Sequence, residues 1–227
     1  ALPVAAPEAP EVPSDLQDLH RVVTLVRAAA ELGGPSTPVV PWPGELPRTV
    51  APADLASTPD EVPIGLADDP HHQCVVTVCH RFTDDVVLYA GASGSGHHDA
   101  LVATAAQLIR HTDPADVHVY GIDLVGHGLA RLEGAPHVGA IATRDEATAL
   151  RMLSHLIADA AARKASRAAN ARTVLFVLGL ERVFLHAESA SSPLLGPLTT
   201  LVNEVPGTGI QVVCSGAPTT ATNRIGA

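Results

Sequence analysis

Leu16, Leu19, Val22, Val23 and Val26 recur at helical spacing, behind Ser14 and ahead of Gly33-Gly34. With Ser14 as N-cap and the glycines as a stop, this pattern predicts one amphipathic helix from Asp15 to Leu32, whose apolar stripe needs a partner. Residues 1–13 are rich in Pro and Ala and read as an extended linker. Residues 35–63 are dense in proline, including Pro41-Trp42-Pro43, and predict an irregular strap over the next domain, anchored by Trp42. Past Val62 the pattern changes to apolar runs of strand length: Cys74–Val78, Val86–Ala90, Val117–Ile122, Val174–Leu178 and Ile210–Cys214. The runs are continuous rather than alternating, as in strands covered on both faces. Helical patterns at His97–His111, Asp145–Ala169 and Pro193–Val205 alternate with the later strands, and Thr143 and Glu146 have the spacing of a capping box. Strand–helix alternation predicts an α/β fold, a mostly parallel sheet covered by crossover helices.

Composition narrows this picture. The chain has 227 residues, of which 46% are hydrophobic and 17% charged, enough for one α/β domain with a long flank. Aromatics make up only 3%, so aliphatic side chains must fill the core. The net charge of −10 argues against a free-standing nucleic-acid binder. Three cysteines, Cys74, Cys79 and Cys214, form no even disulfide framework and favour a reducing compartment. No apolar run approaches ~20 residues and no secretory leader is present, so no direct membrane insertion is expected of this segment. Residue 1 is Ala and the sole methionine is Met152, which predicts a piece of a longer chain.

The stretch richest in chemistry is Val86–His98. A buried strand runs into Gly91-Ala92-Ser93-Gly94-Ser95-Gly96 and then into a helix starting His97-His98. Gly91 and Gly96 have the spacing of the phosphate loop G-x-x-x-x-G-K-[ST]. In that loop, backbone N–H groups and a helix N-terminus surround phosphate oxygens. His97 stands at the Lys position and His98 at the metal-binding Ser/Thr position. Imidazole is shorter than Lys and is no usual ligand for magnesium, which prefers oxygen. A Gly-rich turn that binds nothing is the alternative. A metal-handling carboxylate is expected at the end of a later buried strand, but that position is Leu178, followed by Gly179. Glu181 lies beyond the strand end and is expected to point elsewhere, as a solvated loop residue.

Other constellations carry less. His71, His72, Cys74, Cys79 and His80 cluster in sequence, but the odd separation of the cysteines puts them on opposite faces of one strand, so no metal site is expected. Gly91-Ala92-Ser93-Gly94-Ser95 misses a nucleophile elbow by its last glycine. Asp123, at a strand end, is expected to cap its loop. Arg163, Lys164, Arg167 and Arg172 form the only basic run and read as a solvated helix face.

Three strings extend the phosphate-loop likeness: Val62–Pro70 (VPIGLADDP), Tyr120–Leu129 (YGIDLVGHGL) and Leu132–Ala142 (LEGAPHVGAIA). With them, residues 14–226 resemble a module of the FtsK/SpoIIIE-like ATPase of type VII secretion, the EccC family, most like its second ATPase module. VPIGLADDP is similar to the start of that module, and LEGAPHVGAIA to the family's short loop before the long helix. The resemblance implies a RecA-like P-loop NTPase fold at residues 62–227, truncated before its final strand and leaving an open edge. Residues 1–61 would be the inter-module linker, helix and Pro-rich strap. It places Gly91, Ala92, Ser93, Gly94, Ser95, Gly96, His97 and His98 around nucleotide, Leu178 where the Walker B Asp belongs, and Ser215 at a polar sensor position. There a hydroxyl simply bonded to backbone is equally compatible. The function implied is a degenerate, non-hydrolysing module in regulation, assembly or secretion-substrate binding; the alternative is a working ATP-hydrolysing DNA translocase with an unusual phosphate site. ATP would be held weakly and Mg2+ poorly. Implied partners are neighbouring ATPase modules of the same chain, the C-terminal signal of a secreted substrate, and hexamer mates through the parent protein. The implied location is the cytoplasmic face of the membrane, with the anchor outside this segment.

Overall fold

A computed structural model of the chain describes residues 14–34, 44–56, 61–83, 85–126, 128–166, 171–185 and 192–218. The chain divides into two compact units, Ala1–Trp42 and Pro43–Ala227. The first holds helix α1, Ser14–Gly33, ended by Gly34 in the left-handed region (φ 57°). Its apolar side chains Leu19, Val22, Val23 and Val26 are all exposed. Trp42, expected as the anchor of the strap, lies outside the described residues.

The second unit begins with an irregular stretch and a short 3-10 turn at Pro52–Asp54. Strands β1 (Glu61–Asp69) and β2 (Cys74–Arg81) follow and pair antiparallel as a separate two-stranded sheet. This corrects the reading of Cys74–Val78 as a strand covered on both faces. Val75, Val76 and Val78 are more than one-third exposed, so the run of valines reflects β-propensity rather than burial.

The remaining strands form one parallel sheet. They are β3 (Val86–Ala90), β4 (Val117–Asp123), β5 (Val138–Thr143), β6 (Arg172–Leu178) and β7 (Ile210–Gly216). Their order is β3-β7-β6-β4-β5, with every pairing parallel. Helices α2 (His97–His111), α3 (Glu146–Ser166), α4 (Leu180–Leu185) and α5 (Leu195–Glu204) make the connections. β5 corrects what the resemblance implies for Leu132–Ala142, a short loop before the long helix. Its small residues Gly139 and Ala140 hide the strand, and a Cβ on Gly139 would lie 2.7 Å from the Tyr120 ring carbons, so the close approach of Tyr120 requires glycine there.

The two faces of β6 show how the core is shared. Val174, Phe176 and Leu178 pack with Leu101, Ala105 and Leu108 of α2 and with Val62 of β1. Leu175 and Val177 pack with Met152, Leu153 and Leu156 of α3 and with Leu198 and Leu201 of α5. Each fully buried side chain of this size contributes about 1.5–3 kcal/mol, which makes β6 the apolar spine of the unit.

Two local expectations change. The cap of α3 is Asp145, not Thr143 with Glu146. Asp145 Oδ1 accepts the Thr148 amide at 3.1 Å and Oδ2 the Thr148 hydroxyl at 2.6 Å. Arg163 does not lie on a solvated face, being only 9% exposed. Its Nε donates to Asp159 (2.9 Å), Nη1 to the Ala171 carbonyl (2.8 Å) and Nη2 to the Thr173 hydroxyl (2.8 Å). Lys164 pairs with Glu204 at 2.7 Å, Arg172 lies over the Phe82 ring, and Arg167 is outside the described residues.

A buried polar link ties β2 to β7. His80 Nε2 shares a 2.8 Å hydrogen bond with Gln211 Oε1, and Gln211 Nε2 donates to the Arg81 carbonyl at 3.2 Å. Burial pushes the His80 imidazole below its ordinary value of 6.5, opposed in part by the Gln211 bond. The unfolded chain therefore takes up the proton first as pH falls. The stability that neutral His80 contributes is complete above about pH 6.5 and is lost as pH drops toward the lower folded value. The urea midpoint should hold between pH 8 and 7 and fall from about pH 6.5 to 5.5. His80→Gln should flatten that fall; an identical slope in the variant refutes the assignment.

Candidate functional site

Four parallel strands end together on one edge of the sheet. The Gly91 amide donates to the Gly216 carbonyl (3.1 Å), the Gly179 amide to Ser215 (3.1 Å) and the Leu124 amide to Leu178 (3.1 Å). The carboxyl ends of β3, β7, β6 and β4 thus border one crevice, the usual ligand position in open α/β sheets.

The loop Gly91–Gly96 leaves β3 at this edge and enters α2. Gly94 and Gly96 have φ of 79° and 83°, conformations that side-chain-bearing residues rarely adopt. The first turn of α2 closes with the Ala100 amide on the Gly96 carbonyl at 2.8 Å. The earlier amides of such a turn have no acceptor within the helix, and Asp99 adds an acidic side chain there.

The loop's own side chains turn inward. Ser95 Oγ shares a 3.0 Å hydrogen bond with His97 Nδ1. A Cβ added at Gly91 would collide with Ser95 Oγ and lie 2.8 Å from His97 Cβ. Ser95 and His97 therefore fold back over Gly91, and only glycine fits beneath them. His98 stacks beside His97 with ring centroids 4.0 Å apart and shares a 2.7 Å hydrogen bond between its Nδ1 and Ser215 Oγ. Ser215 is fully buried. Its partner is thus the phosphate-loop histidine, an outcome that neither a sensor position nor a backbone-bonded hydroxyl anticipates.

Glu181 also joins this site, correcting the expectation of a solvated loop residue. It sits in the first turn of α4, with Oε1 3.9 Å from His98 Nε2, while Oε2 is buried without a hydrogen-bond partner. Gly179 makes the turn possible: its φ is 81°, and a Cβ there would collide with Val125. The available sequence signal was the spacing of Leu180, Val183 and Phe184 after a strand-end glycine, a one-turn helix that carries Glu181 back to the sheet edge. Leu178, at the acidic position, is fully buried against α2.

Asp123 does what its position suggested. Its Oδ1 accepts the amides of Val125 (3.2 Å) and Gly126 (2.6 Å), and Oδ2 those of Gly128 (3.1 Å) and Leu129 (3.3 Å). The carboxylate holds the β4 loop at the crevice rim, behind Leu178.

Residues 49–224 match the sequence model of the FtsK/SpoIIIE family. The chain is 33% identical over 141 residues to the ESX-4 secretion system protein EccC4 of Mycobacterium tuberculosis, a match covering 61% of this chain and 11% of that protein. Among solved structures it is similar to the cytoplasmic domain of the Thermomonospora curvata type VII secretion ATPase EccC (TM-score 0.63, 21% identity, 76% of this chain and 21% of that one). It is also similar to ATPases 2 and 3 of T. curvata EccC in complex with a signal sequence peptide (TM-score 0.58, 21% identity, 81% and 32%). A third is EssC ATPases 2 and 3 from Geobacillus thermodenitrificans (TM-score 0.60, 16% identity, 82% and 37%). At these identities the structural likeness speaks for the fold alone. Among the described residues no helix is long and apolar enough to cross a membrane.

Proposed function

This chain belongs to the FtsK/SpoIIIE family, and on that premise we propose that it is a non-hydrolysing motor module of a type VII secretion ATPase. The chain spans about a tenth of the secretion protein it matches, 11%, so the module acts within a larger assembly. Its role is regulation, assembly or substrate binding at the cytoplasmic face of the membrane. Its partners are neighbouring ATPase modules, hexamer mates and the C-terminal signal of a secreted protein. The complex of a similar EccC fragment with a signal sequence peptide supports that last partner.

One observation carries the reading: the imidazole of His98, at the metal-ligand position, is engaged by Ser215 beside a fully buried Leu178. The glycine spacing of Gly91–Gly96 supports a phosphate loop, and a bound ATP would supply the phosphates that such a loop holds. Gly91, Ala92, Ser93, Gly94, Ser95, Gly96, His97 and His98 are the residues that would surround them. For Mg2+ the fit fails. The hydroxyl and carboxylate that would hold it are replaced by an imidazole and an aliphatic side chain, and Glu181 Oε1 faces that imidazole at 3.9 Å. ATP is accordingly bound weakly, and His97 with Ser95 must move off Gly91 to admit it.

The test is turnover. The purified protein with ATP and Mg2+ should release phosphate no faster than a buffer control. Sustained magnesium-dependent turnover above ~0.01 per second, itself far below ordinary enzyme rates, would replace this reading with the working translocase.

A further inference from the structure

At the opposite edge of the sheet from Gly91–Gly96, the amino-terminal ends of β6 and β7 border a cavity of about 270 Å³ lined by Phe82, Thr83, Arg172, Thr173, Gly209 and Gln211, with Val174 at its base. We propose that this cavity binds a small oxyanion, a phosphate or a compact carboxylate, through the Arg172 guanidinium and the hydroxyl protons of Thr83 and Thr173. The inference is independent of the phosphate loop and of the secretion reading.

The hydrogen-bond inventory of the lining gives the ligand its sign. Thr83 Oγ1 accepts from Gln211 Nε2 at 3.2 Å, and Thr173 Oγ1 accepts from Arg163 Nη2 at 2.8 Å. A hydroxyl whose oxygen is held by a donor still has its proton to give. The Gln211 amide is already engaged on both sides: its Oε1 shares a hydrogen bond with His80, and its Nε2 donates to the Arg81 carbonyl and the Thr83 hydroxyl. Arg172 adds a fork of N–H donors. Its guanidinium carbon lies 5.3 Å from the Phe82 ring centroid, and a guanidinium held over a ring can still present N–H donors to an oxyanion. Among the described residues no carboxylate lines the cavity. The described lining thus offers a guanidinium and two hydroxyls to an anion, on a chain whose net charge is −10.

Behind this lining, Arg163 is buried and ion-paired with Asp159 at 2.8 Å, which fixes Thr173 from the rear. The left-handed Gly209 (φ 70°) keeps the floor free of a side chain. The volume of about 270 Å³ falls just below the roughly 300–1,000 Å³ of small-molecule pockets, which suits one anionic group rather than a nucleotide.

The experiment titrates the intact chain with sodium phosphate, sodium succinate and sodium chloride at matched ionic strength, reading Tm and the amide resonances of Thr173 and Gly209. Phosphate or succinate should raise Tm saturably and shift those two resonances, whereas chloride should do neither. The anion giving the tighter titration identifies the source. Arg172→Gln should weaken binding at least tenfold, and Thr83→Val, at an exposed position, should weaken it several-fold without altering the fold. Equal responses to all three salts, or an undiminished response in Arg172→Gln, would overturn the proposal.

Discussion

Asp123→Ala should cost the protein about 4 kcal/mol of stability, a large part of the 5–15 kcal/mol that holds a typical domain together. The carboxylate is fully buried and accepts four backbone amides from the loop after β4. Alanine leaves those donors without their acceptor, and each buried unsatisfied donor costs about 1–3 kcal/mol. Water reaching the loop recovers part of the loss, so the total falls below the simple sum. Asp123→Asn separates charge from shape: one oxygen remains, but its NH2 faces amides that also donate. It should lose roughly half as much, within the range for a single charged hydrogen bond. Urea denaturation followed by far-UV circular dichroism measures both. If the Asp123→Ala midpoint matched the parent's, the carboxylate would not be what holds this loop.

The second expected result concerns the crevice. His97→Lys, His98→Ser and Leu178→Asp, introduced together, should raise the affinity for magnesium–ATP at least about tenfold, or 1.4 kcal/mol. No single change should achieve this, because a metal needs the hydroxyl and the carboxylate at once and residues serving one ligand couple. The cost of each part alone is visible in the packing. Leu178 is fully buried against Leu101 and Phe176, so Leu178→Asp by itself loses a filled apolar site and buries an unpaired charge. It should destabilise the protein by about 4 kcal/mol or more. Magnesium with nucleotide should return part of that stability to the triple variant, because a ligand bound only by the folded state stabilises it. Fluorescent ATP titrations with and without magnesium, paired with melting curves, read both effects. Triple and single variants of equal affinity would mean the loop backbone no longer forms a phosphate cradle.

Both results depend on features of unequal visibility in the sequence. Helix α2 was legible to the residue: Gly96 opens it, the apolar positions Leu101, Ala105 and Leu108 share one face, and Thr112 ends it before Pro114. Strands β6 and β7 were legible because burial on both sides favours a continuous apolar run; β3, expected as a buried strand, is only partly covered along its length, and β4 exposes His118, so these two were legible from their β-branched residues. The burial rule failed at β2, whose valines lie on an exposed hairpin, and at β5, where glycine and alanine leave no run to see. Residues 91–98 were legible as a phosphate-loop likeness because glycine spacing is a local requirement of backbone geometry.

The chain by itself determined its local conformations: where φ must be positive, where a strand gives way to a helix, and which side chains are missing from the phosphate loop. These depend on neighbours a few residues apart. Only the tertiary structure decided what the remaining polar groups do. His98 meets Ser215 across 117 residues, Glu181 turns back toward His98, and Arg163 is buried over the ends of β6 and β7 instead of facing solvent. Hydrophobic periodicity reports which face of an element is covered, not what covers it. A polar side chain's partner is fixed by strand order and crossover, and the order β3-β7-β6-β4-β5 brings β7 between the phosphate-loop strand and β6, placing Ser215 beside His98.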